Sequence, residues 1–111
     1  MSYKIYSTSR FERELKRLVK KFPSLKREYQ NLIDLIRQAT DLGTFIGNDC
    51  YKLRLAIESK GKGKSGGARV ITYLYVKTES LYLLTIYDKS EKADLKPNEL
   101  KEIVESLDLG T

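Results

Sequence analysis

An α+β fold with element order β-α-α-β-β-β-α follows from three features of this 111-residue chain. Apolar residues recur at helical spacing through the first third, the period drops to two at residue 51, and a last helical pattern follows Pro97. The order predicts an N-terminal helical hairpin packed on a mainly antiparallel four-stranded sheet, followed by a C-terminal helix. The length suits one domain over residues 1–111 and is short for two.

The first strand is read at Tyr3–Ser7, where YKIYS alternates and is rich in tyrosine. Ser9 followed by Glu12 has the capping-box form that starts a helix. Phe11, Leu15, Leu18, Val19 and Phe22 then line one face, with Arg and Lys on the other. Pro23 ends this helix and Ser24 is placed to cap the next. Leu25, Tyr29, Leu32, Ile33 and Ile36 repeat the pattern until Leu42–Gly43, where glycine suits a left-handed helix end. So short a link makes the two helices nearly antiparallel.

In YKLRLAI, Tyr51, Leu53, Leu55 and Ile57 share one face, with Lys52, Arg54 and Ala56 on the other. ARVITYLYV (68–76) and SLYLLTIY (80–87), joined through VKTES, predict an antiparallel hairpin. Both runs are apolar on both faces and so read as central strands, with Tyr3–Ser7 or Tyr51–Ile57 at the sheet edges. Pro97 suits a first helical position, and Leu100, Ile103, Val104 and Leu107 mark the C-terminal helix.

Composition narrows the function classes. With 41% hydrophobic and 32% charged residues the chain is globular rather than disordered. No apolar run approaches the roughly 20 residues of a membrane span. The N-terminus lacks a secretory apolar core, and the single Cys50 builds no internal disulfide, so a cytoplasmic protein is expected. Without histidine, a metal site would need carboxylates alone, and neither metal nor cofactor is expected. Net charge is +6, and its distribution is uneven. From Cys50 to Val70, Lys52, Arg54, Lys60, Lys62, Lys64 and Arg69 are opposed by Glu58 alone. Such clustering marks a polyanion-binding surface.

The stretch ESKGKGKSGGARV (58–70) contains Gly-Lys-Ser, but a P-loop also needs a glycine where Glu58 stands. It also needs a helix after Lys-Ser, and a strand pattern follows here. A basic, glycine-rich strand connection remains. If the strands are neighbours, Lys52, Arg54, Arg69 and Lys89 converge on one concavity, although each alone would more commonly be a solvated charge. Tyr51, Tyr73, Tyr75, Tyr82 and Tyr87 are dense in the same region; most suit packing, and one or two near a strand end suit stacking on a base.

DCYKLRLAIESKGKGKSGGARVITYLY and LYLLTIYDKSEKADL resemble the RelE/ParE superfamily of type II toxin–antitoxin toxins, in particular RelE-like and HigB-like members, and the element order extends the likeness over nearly the whole chain. The resemblance implies a ribosome-dependent mRNA endonuclease that cuts in the A site and inhibits translation, held inactive by a cognate antitoxin. The implied reaction is attack of a ribose 2′-OH on the adjacent phosphate, leaving a 2′,3′-cyclic phosphate and a 5′-OH. By position Lys52, Arg54, Arg69 and Lys89 fall on the family's basic catalytic groups. Leu95 stands where a catalytic tyrosine is expected, so that role is vacant or passes to Tyr87. Lys89 replaces an arginine, and the histidine of some HigB-like members is missing.

Lysine is a poor base at neutral pH unless cations crowd it. Lys52 beside Arg54 and Arg69 is therefore expected to help deprotonate the 2′-OH, the two arginines to hold the phosphate, and Lys89 to assist the leaving group. Lys60, Lys62 and Lys64 are expected to dock on ribosomal RNA through phosphate attraction. The alternatives are a ParE-like gyrase inhibitor and a non-catalytic RNA-binding relative.

Overall fold

The computed structural model describes residues 3–38, 42–61 and 66–107. The elements are β1 (Lys4–Ser7), α1 (Ser9–Lys21), α2 (Leu25–Arg37), β2 (Thr44–Gly47), β3 (Cys50–Leu55), β4 (Ala68–Tyr75), β5 (Ser80–Asp88) and α3 (Pro97–Glu105). They form a five-stranded sheet in the order β1-β5-β4-β3-β2. Only the β1–β5 pair is parallel. The predicted class and the central position of β4 and β5 are both found.

The fifth strand corrects the expected four. β2 joins β3 through Asn48 and Asp49, both with positive φ (53° and 59°), in a two-residue hairpin that places β2 at the edge in place of β3. TFIG is short and interrupted by a register shift after Phe45, so no alternation announces it.

The α1 boundary also differs by one residue. Thr8, not Ser9, is the N-cap: its hydroxyl accepts from the Phe11 N–H (3.0 Å) and donates to the Leu84 carbonyl (3.0 Å). One side chain thus caps the helix and ties it to β5. Helix α2 ends at Arg37 with Gln38 as C-cap, short of the expected Leu42–Gly43. Gly43 serves a different purpose. It has φ +85°, and a Cβ there would lie 2.3 Å from the Lys52 carbonyl oxygen, so only glycine lets the chain approach β3 this closely.

Two apolar layers explain why β4 and β5 are apolar on both faces. Phe11, Leu18, Leu25, Leu32, Ile33 and Ile36 of the helical hairpin pack on one face against Leu53, Leu55, Val70, Leu83 and Ile86. On the other, Leu100 and Ile103 of α3 cover Cys50, Ile71, Leu84 and Tyr87. Pro97 opens α3 as predicted, and the Glu99 carboxylate accepts from the Lys96 N–H (3.4 Å).

Candidate active site

The register of β3, β4 and β5 sets Arg54 opposite Arg69 and Arg69 opposite Tyr87. These three residues make one row across the sheet, on the face that carries α3. Lys52 lies two residues before Arg54 on that same face. Lys52, Arg54, Arg69 and Tyr87 therefore share one face of the sheet. Arg54 is exposed, whereas Arg69 (3% exposed) and Tyr87 (6%) are sunk into the sheet. The Arg69 guanidinium donates from Nη1 to the Ala68 carbonyl (3.0 Å).

Lys89 follows β5 and is exposed; its N–H donates to the Gly67 carbonyl (3.0 Å), which extends the β4–β5 ladder one step. Gly67 is required there, since a Cβ would sit 2.1 Å from the Leu55 carbonyl oxygen. The ladder keeps Lys89 at the end of the sheet that carries the Arg54–Arg69–Tyr87 row.

Lys60 departs from its expected docking role. Its side chain is only 8% exposed, and its ammonium is held by the fully buried Asp88 carboxylate, by Ser90 Oγ (3.2 Å) and over the Phe22 ring (5.4 Å). Asp88 Oδ1 also accepts from the Ser90 N–H (3.0 Å) and hydroxyl (2.9 Å). Burial raises the Asp88 pKa, but the hydrogen bonds from Lys60 and Ser90 outweigh it and hold the carboxyl below its ordinary value. Lys60 thus anchors the root of the basic connection to the end of β5 rather than presenting a free charge. Lys62 and Lys64 lie outside the described residues.

Asp94 is a neighbour that the sequence did not single out. Its Oδ1 accepts from the Tyr87 hydroxyl (3.3 Å) and the Leu95 N–H (2.9 Å), and Lys52 Nζ lies 3.5 Å from both carboxylate oxygens. Burial pushes the Asp94 carboxyl up, and the Leu95 amide, Lys52 and Tyr87 together bring it below its usual range. Burial first, and then Asp94, push the Tyr87 phenol up to about 12, against a smaller opposing effect of Arg69. Beside the arginines of the row, Lys52 therefore also meets a carboxylate. The one sequence hint was position: Asp94 precedes Leu95, which stands at the expected tyrosine place and packs beneath α3.

The segment carrying Asp94 is fixed on both sides. Glu91 pairs with Arg17 (2.8 Å) and Lys21 (3.5 Å) of α1, and Glu99 pairs with Arg10 (3.2 Å) and Lys92. Tyr73 and Tyr82 pack partly buried beside the α3 cluster, Tyr82 stacking on Tyr6 at 5.3 Å between ring centroids. Among the described residues, no group of three or more His, Cys, Asp or Glu is arranged to hold a metal ion, and no helix is long and apolar enough to cross a membrane.

Known proteins give the same fold. An E. coli RelE toxin variant in the free state superposes with a TM-score of 0.61 at 14% identity, covering 96% of this chain and 99% of that one. The RelBE2 toxin–antitoxin complex of Mycobacterium tuberculosis contains a chain that matches with a TM-score of 0.54 at 14% identity, over 79% of this chain and 99% of its own. The family model described as the RelE toxin of the RelE/RelB toxin–antitoxin system matches residues 3–107. With every described residue inside that match, the chain belongs to the RelE toxin family.

Proposed function

We propose that this toxin is a ribosome-dependent mRNA endonuclease that inhibits translation by cutting in the A site. The observation that carries the reading is the register pair Arg54–Arg69, extended by Tyr87 and flanked by Lys52 on one face. Like charges directly opposite in a sheet are unfavourable for folding, so their pairing calls for a functional reason. A phosphodiester supplies it, because two guanidinium groups match the phosphate oxygens and the charge added in the transition state.

In the proposed reaction the 2′-OH passes its proton to solvent as its oxygen attacks the adjacent phosphorus, the P–O5′ bond breaks, and the 5′-oxygen leaves with a proton taken from a donor of the site. Arg54 and Arg69 hold the phosphate, and Lys52 adds positive charge beside it. Tyr87, with its phenol pushed up to about 12, stays protonated at neutral pH and is a hydrogen-bond or proton donor. Lys89 stands near the row to assist the leaving group. The ribosome supplies the in-line placement of the mRNA. Lys62 and Lys64 provide salt-dependent attraction to ribosomal RNA. A gyrase inhibitor would give no reason for gathering phosphate-binding groups on the sheet.

The partner proposed is a cognate antitoxin with an acidic segment, in keeping with the +6 charge of the toxin. Cell-free translation with purified protein, read by mapping mRNA 5′ ends, tests the function. Cuts inside translated codons that vanish without ribosomes support it, and intact mRNA at high protein concentration overturns it.

A further inference from the structure

The contacts of Asp94 deepen the nuclease reading and rest on it. A lysine ammonium and a tyrosine hydroxyl converge on its carboxylate, at 3.5 Å and 3.3 Å. A cation and a neutral hydroxyl donor are also what a non-bridging phosphodiester oxygen accepts from. The Asp94 side chain is 62% exposed and that of Lys52 24%, so the pair lies where a ligand can reach it. Through Tyr87 it adjoins Arg69, the direct register partner of Tyr87 on the neighbouring strand.

We propose that Lys52 and Tyr87 form an anion subsite for one phosphodiester of single-stranded RNA, and that Asp94 is its resident carboxylate, displaced when RNA binds. Carboxylate and phosphodiester each carry a negative charge, and holding both against Lys52 sets like charges within contact distance. One must leave. Asp94 lies in the irregular segment between β5 and α3, so its side chain can rotate toward solvent while Glu91 and Glu99 keep that segment anchored to α1. In the free protein the carboxylate keeps Lys52 and Tyr87 gathered; in the complex the RNA takes over their hydrogen bonds. The resident carboxylate also weakens binding of any RNA not held in place by other contacts.

The test measures the affinity of the intact protein for a short single-stranded 2′-O-methyl oligoribonucleotide, which keeps the phosphodiesters and cannot be cut. Asp94→Asn is expected to bind about two- to fivefold tighter, as for loss of one exposed competing ion pair. The gain should vanish in a Lys52→Met background. Asp34→Asn, on α2 at the opposite face of the sheet, removes the same charge and should gain far less. Equal gains for Asp34→Asn and Asp94→Asn would reduce the effect to net charge and overturn the subsite. Unchanged or weaker binding by Asp94→Asn, with Arg69→Ala still weakening binding, would overturn it while leaving the nuclease reading intact. Wild-type protein that neither binds this RNA nor cuts mRNA on ribosomes would remove the nuclease reading and the subsite with it.

Discussion

Arg54 and Arg69 are direct cross-strand partners on β3 and β4, one exposed and one almost fully buried. Two like charges so placed cost roughly 0.2–1 kcal/mol of stability. Arg54→Gln should therefore unfold at slightly higher urea concentration than the wild type while losing cleavage activity. A variant less stable than wild type, or equally active, would show that the pair is not a functional compromise.

Lys60 is expected to matter to the fold. Removing one partner of a buried ion pair typically costs about 3–5 kcal/mol, so Lys60→Ala should be clearly destabilised in urea titrations at neutral pH. The salt dependence of RNA binding should stay as in wild type, since this ammonium is held by Asp88. A stable Lys60→Ala protein with a flatter salt dependence would instead return Lys60 to a docking role.

The same pair sets an acid limit. The Asp88 carboxyl is held below its ordinary value in the fold, so its contribution is full above the unfolded value of about 3.9. That contribution is lost as pH falls through the lower folded value. Asp88→Asn should remove this part of the pH dependence in denaturation followed from pH 7 to pH 2.

Tyr87 titrates in the opposite direction. Its folded pKa of about 12 exceeds the unfolded value near 10, so the neutral phenol favours the fold. The contribution is complete below pH 10 and declines as pH rises through about 12. Tyrosinate absorbance should show Tyr87 ionising earlier in Asp94→Asn, where an anion is gone, and later in Arg69→Ala, where a cation is gone.

What the sequence made legible, and what it hid, follows from the range of each interaction. Helices and long strands show in the spacing of Phe11, Leu15 and Leu18 or of Leu53 and Leu55, because burial on one face is a local pattern. The face shared by Lys52 and Arg54 was also readable from alternation, whereas their meeting with Arg69 depended on β3 and β4 being neighbours, which only the sheet order gives. β2 was missed because TFIG is too short to show a period; the adjoining Asn48–Asp49 turn was the available signal. Lys60 and Asp94 were misread or overlooked for a different reason. Each is defined by a partner far along the chain, Asp88 and Lys52 respectively, and no local pattern encodes those meetings. The Ser9 cap failed by one residue because Thr8 also bonds to β5, a tertiary contact that decides between adjacent hydroxyls.

The role proposed for the Arg54–Arg69–Tyr87 row is to promote attack by a ribose 2′-OH on ribosome-bound mRNA. It is tested most directly by single-turnover cleavage on programmed ribosomes whose A-site codon carries one 2′-deoxy nucleotide at the cut position. The all-ribose message should be cut to a 2′,3′-cyclic phosphate and a 5′-OH, and the deoxy message should survive. Arg69→Ala should slow the ribose reaction by about two to three decades, as loss of one transition-state contact typically does. Cleavage of the deoxy message at the same rate, or an Arg69→Ala protein as fast as wild type, would contradict it.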